Sequence, residues 1–312
     1  MKKKILKCRV IILLFILSIV GSVLVKHEAF AQGLTKVADG VYSYSDIKNS
    51  SPANSFGANA GIIIGKDGII VIDTLVSAKE AKRFIRDIKA ISKKPIKYVV
   101  NTHYHLDHTF GNADFKRLGA VIISHTNDSK NLKAHGETAL KNAKNYGLSE
   151  EDMKGTKIAY PALTFNDRMV IDLGDQKLEL IYIMPSHTDG SIMAYLPDKK
   201  ILFAGDILFT NYHPFIGDGN IEEWVKVLDY IMTMDVEKII PGHGPISSKK
   251  DIEDMKNYLI IFDKKAKELS AKSSDVEYIV SEIKKVLPPR TELESLIQSN
   301  IQMKYLKKET VQ

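Results

Sequence analysis

Residues 103–108 read His-Tyr-His-Leu-Asp-His and place three imidazoles and one carboxylate within six positions. A single His is ordinarily a polar-loop or core residue, but donors at this density are what a divalent metal ion needs. His103 and His105 are two apart and point the same way in extended chain, whereas Asp107 and His108 are adjacent and must diverge. One stretch can therefore feed two neighbouring ions. Three further donors stand at the ends of apolar runs: His187 in Met-Pro-Ser-His-Thr-Asp-Gly, Asp206 in Leu-Phe-Ala-Gly-Asp-Ile and His243 in Ile-Pro-Gly-His-Gly. Small residues beside each donor keep the approach open. The set holds five His and two Asp and no thiolate, which suits Zn2+ and is also acceptable to iron or manganese. Two such ions sharing a water lower its pKa toward neutrality, generate hydroxide and polarise a carbonyl or phosphoryl oxygen. Asp107 is the candidate to hold or shuttle a proton beside them.

These stretches, in this order, resemble the metallo-β-lactamase-fold hydrolase superfamily, whose signature is H-x-H-x-D-H followed by a His, an Asp and a His in such contexts. The resemblance runs from about Val41 to Ile246. It implies a four-layer αββα sandwich in the mixed α/β (α+β) class, with two zinc ions per chain. It also implies one ion held by His103, His105 and His187, a second held by Asp107, His108 and His243, and Asp206 bridging them. Asp73, in Val-Ile-Asp-Thr, would brace the ligand loop. The segments around His187 and Asp206 look most like exported zinc hydrolases of the quinoprotein-associated type and like glyoxalase II. Against a thiol-ligand β-lactamase, Asp206 stands where those enzymes use Cys, and Phe209 where they carry a Lys. The C-terminal helices lack a basic glutathione-binding pattern, and His105 replaces the Glu of flavodiiron enzymes.

The elements that must position these donors can be read from periodicity. Gly40 to Tyr44 reads as a strand, and Ala60–Ile64 with Ile69–Asp73 as a hairpin around Lys66-Asp67-Gly68. Ala81, Phe84, Ile85, Ile88 and Ile91 recur at helical spacing over Ser77 to Ile91. That helix returns the chain to a strand at Ile96 to Val100, whose carboxyl end carries the His cluster. Ala120–Ser124 is a further strand, followed by a helix over 127–145. Phe165–Leu173, Lys177–Met184, Ser191–Leu196 and Ile201–Phe203 read as a second, antiparallel group. Ile221–Met232 is a helix, Lys238–Ile240 a short strand, and Lys249 onward helical, with a stop at Pro288-Pro289 and a capping-box start at Thr291 and Glu294.

Residues 1–31 differ from the rest. A basic head precedes the apolar run Val10–Val25, and Ala29-Phe30-Ala31 gives a small-x-small site, the pattern of a secretory signal peptide cleaved after Ala31. The expected organisation is therefore 1–31 signal peptide, 32–248 catalytic domain and 249–312 C-terminal helical extension. Cleavage would remove Cys8, the single cysteine, and would take the formal charge from +6 to +1, because the segment carries six Lys or Arg against Glu28. The basic balance thus belongs mostly to targeting and gives no case for nucleic acid. The expectation is an exported protein (secreted, periplasmic or cell-surface), with no membrane contact beyond that segment. It would be a dinuclear zinc hydrolase acting on a small-molecule ester, thioester, lactone or amide. β-Lactam hydrolysis, a mononuclear iron persulfide dioxygenase and a non-catalytic metal-binding protein are the alternatives. Tyr104, Leu106, Phe209, Tyr212, His213 and Phe215 are candidate pocket residues, while His125, His135 and Trp224 read as ordinary surface or core positions.

Overall fold

The structure, a computed structural model, describes residues 34–45, 47 and 49–306. The signal-peptide reading and Cys8 lie outside the described residues. Among the described residues no helix is long and apolar enough to cross a membrane.

Two sheets face each other. The first is ordered β1 to β7: β1 (Leu34–Ala38), β2 (Val41–Tyr44), β3 (Ala60–Gly65), β4 (Gly68–Ile72), β5 (Ile96–Val100), β6 (Val121–His125) and β7 (Leu163–Phe165). Strands β1 to β4 form an antiparallel meander, and β4 to β7 run parallel. Parallel pairing requires crossovers, which are supplied by α1 (Ala78–Ile91), then α2 (Leu106–Thr109) with α3 (Asn112–Lys116), then α4 (Thr126–Lys141) with α5 (Glu150–Met153). The second sheet holds β8 (Arg168–Asp172), β9 (Lys177–Ile181), β10 (Met193–Leu196), β11 (Ile201–Phe209) and β12 (Lys238–His243), with β11 and β12 parallel across α6 (Ile221–Thr233). Three C-terminal helices follow: α7 (Lys249–Ser270), α8 (Val276–Lys284) and α9 (Leu296–Asn300), the last continued by a π-turn over Ile301–Tyr305.

Period-two alternation assigns the faces. Ile70 and Ile72 of β4 point inward with Ile63, Val100 and Ile123, meeting Leu178, Leu180, Ala194 and Phe203 of the opposite sheet. Ile69 and Val71 point outward onto Phe84, Ile85 and Ile88 of α1 and Phe115 of α3. The outer face of the second sheet packs Leu202 and Ala204 against Trp224 and Leu228 of α6 and Met255, Leu259 and Phe262 of α7, and Ile279, Ile297 and Ile301 join that core. The layers are thus helices, sheet, sheet, helices, as the sequence led us to expect. The C-terminal helices share one hydrophobic cluster with the second sheet.

Several expected boundaries are corrected. Phe165–Leu173 is two strands: β7 closes the first sheet and β8 opens the second, with the chain crossing between them at Asn166-Asp167. Strand β11 runs on to Phe209 instead of stopping at Phe203, and β12 reaches His243. The capping box at Thr291 does not form. The Thr291 and Glu292 amides both donate to the Asn211 carbonyl, Glu294 pairs with Lys284 at 2.6 Å, and the helix begins only at Leu296.

Candidate metal centre

The seven expected donors meet where strands of both sheets end. The chain leaves β5 at Val100, bends at Thr102 and His103, reaches His105 in extended conformation, then turns into the four-residue α2, which carries Asp107 and His108. His187 comes from the β9–β10 connection and His243 ends β12. Asp206 lies inside β11, where pairing with β12 slips between Phe203 and Gly205 and again before Phe209. Gly205 takes φ +52°, and a Cβ there would meet Thr102 Cβ at 2.6 Å. This bulge turns Asp206 toward the site.

The donors fall into two groups, His103, His105, His187 and Asp206 in one and Asp107, His108 and His243 in the other, with the ligand atoms of each group within 4.8 Å of one another. Asp206 divides itself between them. Its Oδ2 lies 3.3 Å from His187 Nε2 and 3.6 Å from His103 Nε2. Its Oδ1 lies 3.1 Å from His108 Nε2 and 3.6 Å from His243 Nε2. Asp107 Oδ2 is 3.3 Å from His243 Nε2 and 3.5 Å from His108 Nε2. Ligands at ~2.0 Å from a tetrahedral ion are separated by about 3.3 Å, so these spacings are those of ligand atoms around an ion.

The nitrogen of each ring that faces away from the centre has its own partner. His103 Nδ1 lies 3.1 Å from Thr102 Oγ1 and His108 Nδ1 2.9 Å from Asp73 Oδ2. His105 Nε2 lies 2.9 Å from Asp218 Oδ2, His187 Nδ1 3.0 Å from the Phe215 carbonyl, and His243 Nδ1 3.2 Å from the Phe56 carbonyl. Outer partners of this kind fix which nitrogen faces the centre: Nε2 in four rings and Nδ1 in His105, with His187 Nε2 and His105 Nδ1 meeting there at 2.9 Å. Asp73 holds more than His108. It sits at φ +58° just after β4 and accepts from Thr102 N at 2.8 Å and from Thr102 Oγ1 at 2.6 Å.

The electrostatics have one consistent cause, burial of several titratable groups together. Burial, with His108 nearby, holds the pKa of His103 well below the usual imidazole range, and burial takes His187 down to about 3 against the pull of Asp206. Burial also opposes the charged forms of His108 and His243, but Asp206 and Asp107 outweigh it. They raise His108 well above its ordinary value and His243 to about 9. Asp206 is held well below the carboxylate range, against burial, by His108, His243, His103 and His187.

The donor set fits a metal on geometric grounds as well. His103 Nε2, His108 Nε2 and Asp206 Oδ1 are buried with no hydrogen bond, and the 3.1 Å approach of the last two lacks hydrogen-bond geometry. Buried polar atoms are rarely left so, and a cation at the centre of each group would satisfy them.

Around the donors, Phe209 stacks on the His243 ring at 5.0 Å with planes 1° apart, and Tyr212 lies 5.5 Å from the same ring. Phe215 lies 5.6 Å from His105, and Trp224 backs His187 at 5.3 Å. Tyr104 donates to Asp218 at 2.7 Å. Leu106 packs with Val76 and Phe56. His213 turns away from the centre to meet Tyr258 Oη at 2.7 Å. His125 is spent on Asn166 O and on stacking with Tyr182, and His135 is exposed. Asp218, the Phe56 carbonyl and the Phe215 carbonyl were not visible to sequence reasoning. An acid between two glycines in Gly217-Asp218-Gly219 is a signal that could have pointed to Asp218.

The profile of the metallo-beta-lactamase superfamily matches residues 54–243. A linear primary-alkylsulfatase of Pseudomonas sp. (strain ATCC 19151) is 26% identical over 228 residues, 62% of this chain and 43% of that protein. The human acyl-coenzyme A thioesterase MBLAC2 is 26% identical over 212 residues, 60% of this chain and 72% of that protein. This chain therefore spans less than half of the alkylsulfatase. A metallo-beta-lactamase from Pontibacter korlensis superposes with a TM-score of 0.58 at 22% identity, covering 73% of this chain and 98% of its own, which speaks for the fold. With its profile match running from the 52–57 turn to the last ligand, His243, this chain belongs to the metallo-beta-lactamase superfamily.

Proposed function

We propose that the protein is a dinuclear zinc-dependent hydrolase of a small ester, thioester, lactone or amide. One observation carries the reading: the two oxygens of Asp206 face two separate donor groups, each completed by its own side chains. His103, His105 and His187 would hold the first ion, Asp107, His108 and His243 the second, and Asp206 would join them. A mononuclear reading leaves His108 and His243, both turned onto Asp107, without a task.

Bound there, the ions supply Lewis acidity and acidify a water for attack on an acyl centre. The chain's own groups do the rest. Asp107, 13% exposed in its side chain, and His105, 16% exposed, are the donors nearest solvent, so substrate approaches over them. His108 and His243 keep Asp107 ionised against its burial, so it accepts and orients a proton donor. Phe209 and Trp224 close the rear of the site and keep bulk water from the donors. Tyr104, Asp218 and Phe215 form the rim that a substrate meets first. The relatives named above act on a thioester and on an alkyl sulfate, and both bonds belong in the trial.

The test is metal content of residues 32–312 with turnover of an aryl ester, an acyl thioester, a lactone, a phosphodiester, an alkyl sulfate and a chromogenic β-lactam. About two zinc per chain with metal-dependent cleavage of an acyl bond is expected. Cleavage of the β-lactam alone would move the assignment to that substrate. One iron without hydrolysis would replace it with the dioxygenase, and bound metal with no turnover would leave a binding protein. We further propose export, for which the amino-terminal sequence of the secreted chain should begin at Gln32.

A further inference from the structure

The connection from β11 to α6, residues 210–220, supplies two of the five partners that orient the histidines: the Phe215 carbonyl on His187 and the Asp218 carboxylate on His105. It belongs to neither sheet, so its buried backbone groups need partners from elsewhere. Several come from strand and loop backbone, and those on either side of Phe215 come from the C-terminal helices. Asn300, the last residue of α9, is fully buried. Its Oδ1 accepts from the Ile216 amide at 2.8 Å, and its Nδ2 donates to the Pro214 carbonyl at 2.8 Å. A carboxamide carries the donor and the acceptor of a peptide group on one side chain. Asn300 therefore pairs with the backbone on both sides of Phe215 as a neighbouring strand would. One turn further on, Lys304 Nζ donates to the carbonyl of Gly219, the residue after Asp218.

We propose that Asn300 is a positioning residue for the first metal site. It holds the backbone of 214–216 so that Phe215 and Asp218 keep His187 Nε2 and His105 Nδ1 turned toward the centre. This rests on the dinuclear reading above and gives the C-terminal helices a task beyond packing. Leu at this position fills similar space but makes neither bond, Asp keeps only the acceptor, and both leave the metal donors untouched.

Stepwise zinc affinity of the full mature chain, measured by competition with a chromophoric chelator, tests it. In a His243→Ala background, where the first site remains, N300L should weaken zinc binding by about tenfold, the low end of what losing an outer partner of a ligand costs, because Phe215 and Asp218 are loosened and not removed. In a His103→Ala background, where the second site remains, affinity should stay within about threefold. Nitrogen NMR of the metal-free parent should show the His187 Nδ1–H tautomer, and N300L should lose it. N300D should fall between parent and N300L, and it decides the matter on the same readings if N300L does not fold. Unchanged affinity at the first site in a folded variant overturns the proposal, as does an equal loss at both sites. A parent chain that takes up no zinc overturns the dinuclear reading itself, and titration of the parent alone separates that failure from the others.

Discussion

Asp73 Oδ2 stands 2.9 Å from His108 Nδ1, and the same carboxylate receives both the amide and the hydroxyl of Thr102. Thr102 in turn touches His103, so a single buried acid orients a ligand of each proposed metal site. The expected result of Asp73→Ala is a loss of roughly 10–100-fold in zinc affinity, with His108 the first ring to reorient. Isothermal titration of the metal-free protein checks this. An Asp73→Asn variant keeps an acceptor without the charge and should lose less.

Gly242 lies against Asp206. A methyl group at this position would overlap Asp206 Oδ1 and crowd the backbone of Gly205 and Asp206, while the Gly242 carbonyl is fixed by the Asn59 amide at 2.7 Å. Gly242→Ala should therefore displace the shared carboxylate, cost about 1–3 kcal/mol of stability through overpacking and reduce metal content below that of the parent. Elemental analysis beside thermal unfolding would separate the two effects. A variant with full metal content would show that Asp206 does not need the place it occupies.

His213 gives a pH dependence. Burial, with Arg290 adding to it, lowers its pKa to about 4, below its ordinary value of 6.5, and Glu294 and Lys284 also act on it. In the unfolded chain the ring takes up a proton near pH 6.5, whereas in the folded chain it does so only near 4. The stability tied to a neutral His213 is thus complete above pH 6.5 and is lost as the pH falls from 6.5 toward 4. His213→Gln, which can still reach Tyr258, should flatten part of that decline, a difference from the parent on the order of 2–4 °C in Tm for about 1 kcal/mol. Equal slopes in the two proteins across that window would refute the assignment.

The ligands were legible because their spacing is local and their types are unusual together. His103 to His108 needed only the rule that residues two apart share a side of extended chain. The layers came from the resemblance, because Ile69 to Ile72 are apolar throughout and only the structure separates the outward Ile69 and Val71 from the inward Ile70 and Ile72. What stayed hidden has no local mark. The partners of His187 and His243 are backbone carbonyls, which every residue possesses. Asp218 lies 113 positions from His105. Gly205 reads as the turn that ends a strand, although β11 runs through it as a bulge, and the break at Asn166 separates two runs with the same alternation, so periodicity merged β7 with β8. The Thr291 capping box failed because Asn211, far away in sequence, takes the amides that a helix start would have used.

Metal removal should expose how much of the fold depends on the centre. Without an ion, the unsatisfied His103 Nε2 and Asp206 Oδ1 stay buried. Zinc bound to the native chain and not to the unfolded one stabilises by an amount that grows with the logarithm of free zinc, about 2.7 kcal/mol at 100 times Kd. The unfolding temperature should accordingly fall on exhaustive chelation and rise again in steps as zinc is restored. The three largest cores among the described residues, in α1 with the first sheet, between the sheets, and beneath α6 and α7, should hold without it. Far-UV circular dichroism of the metal-free protein should therefore keep its native form while the ligand-bearing loop at 101–109 gains hydrogen exchange. Collapse of the whole spectrum on chelation would instead mean that the metals, and not these cores, hold the two sheets together.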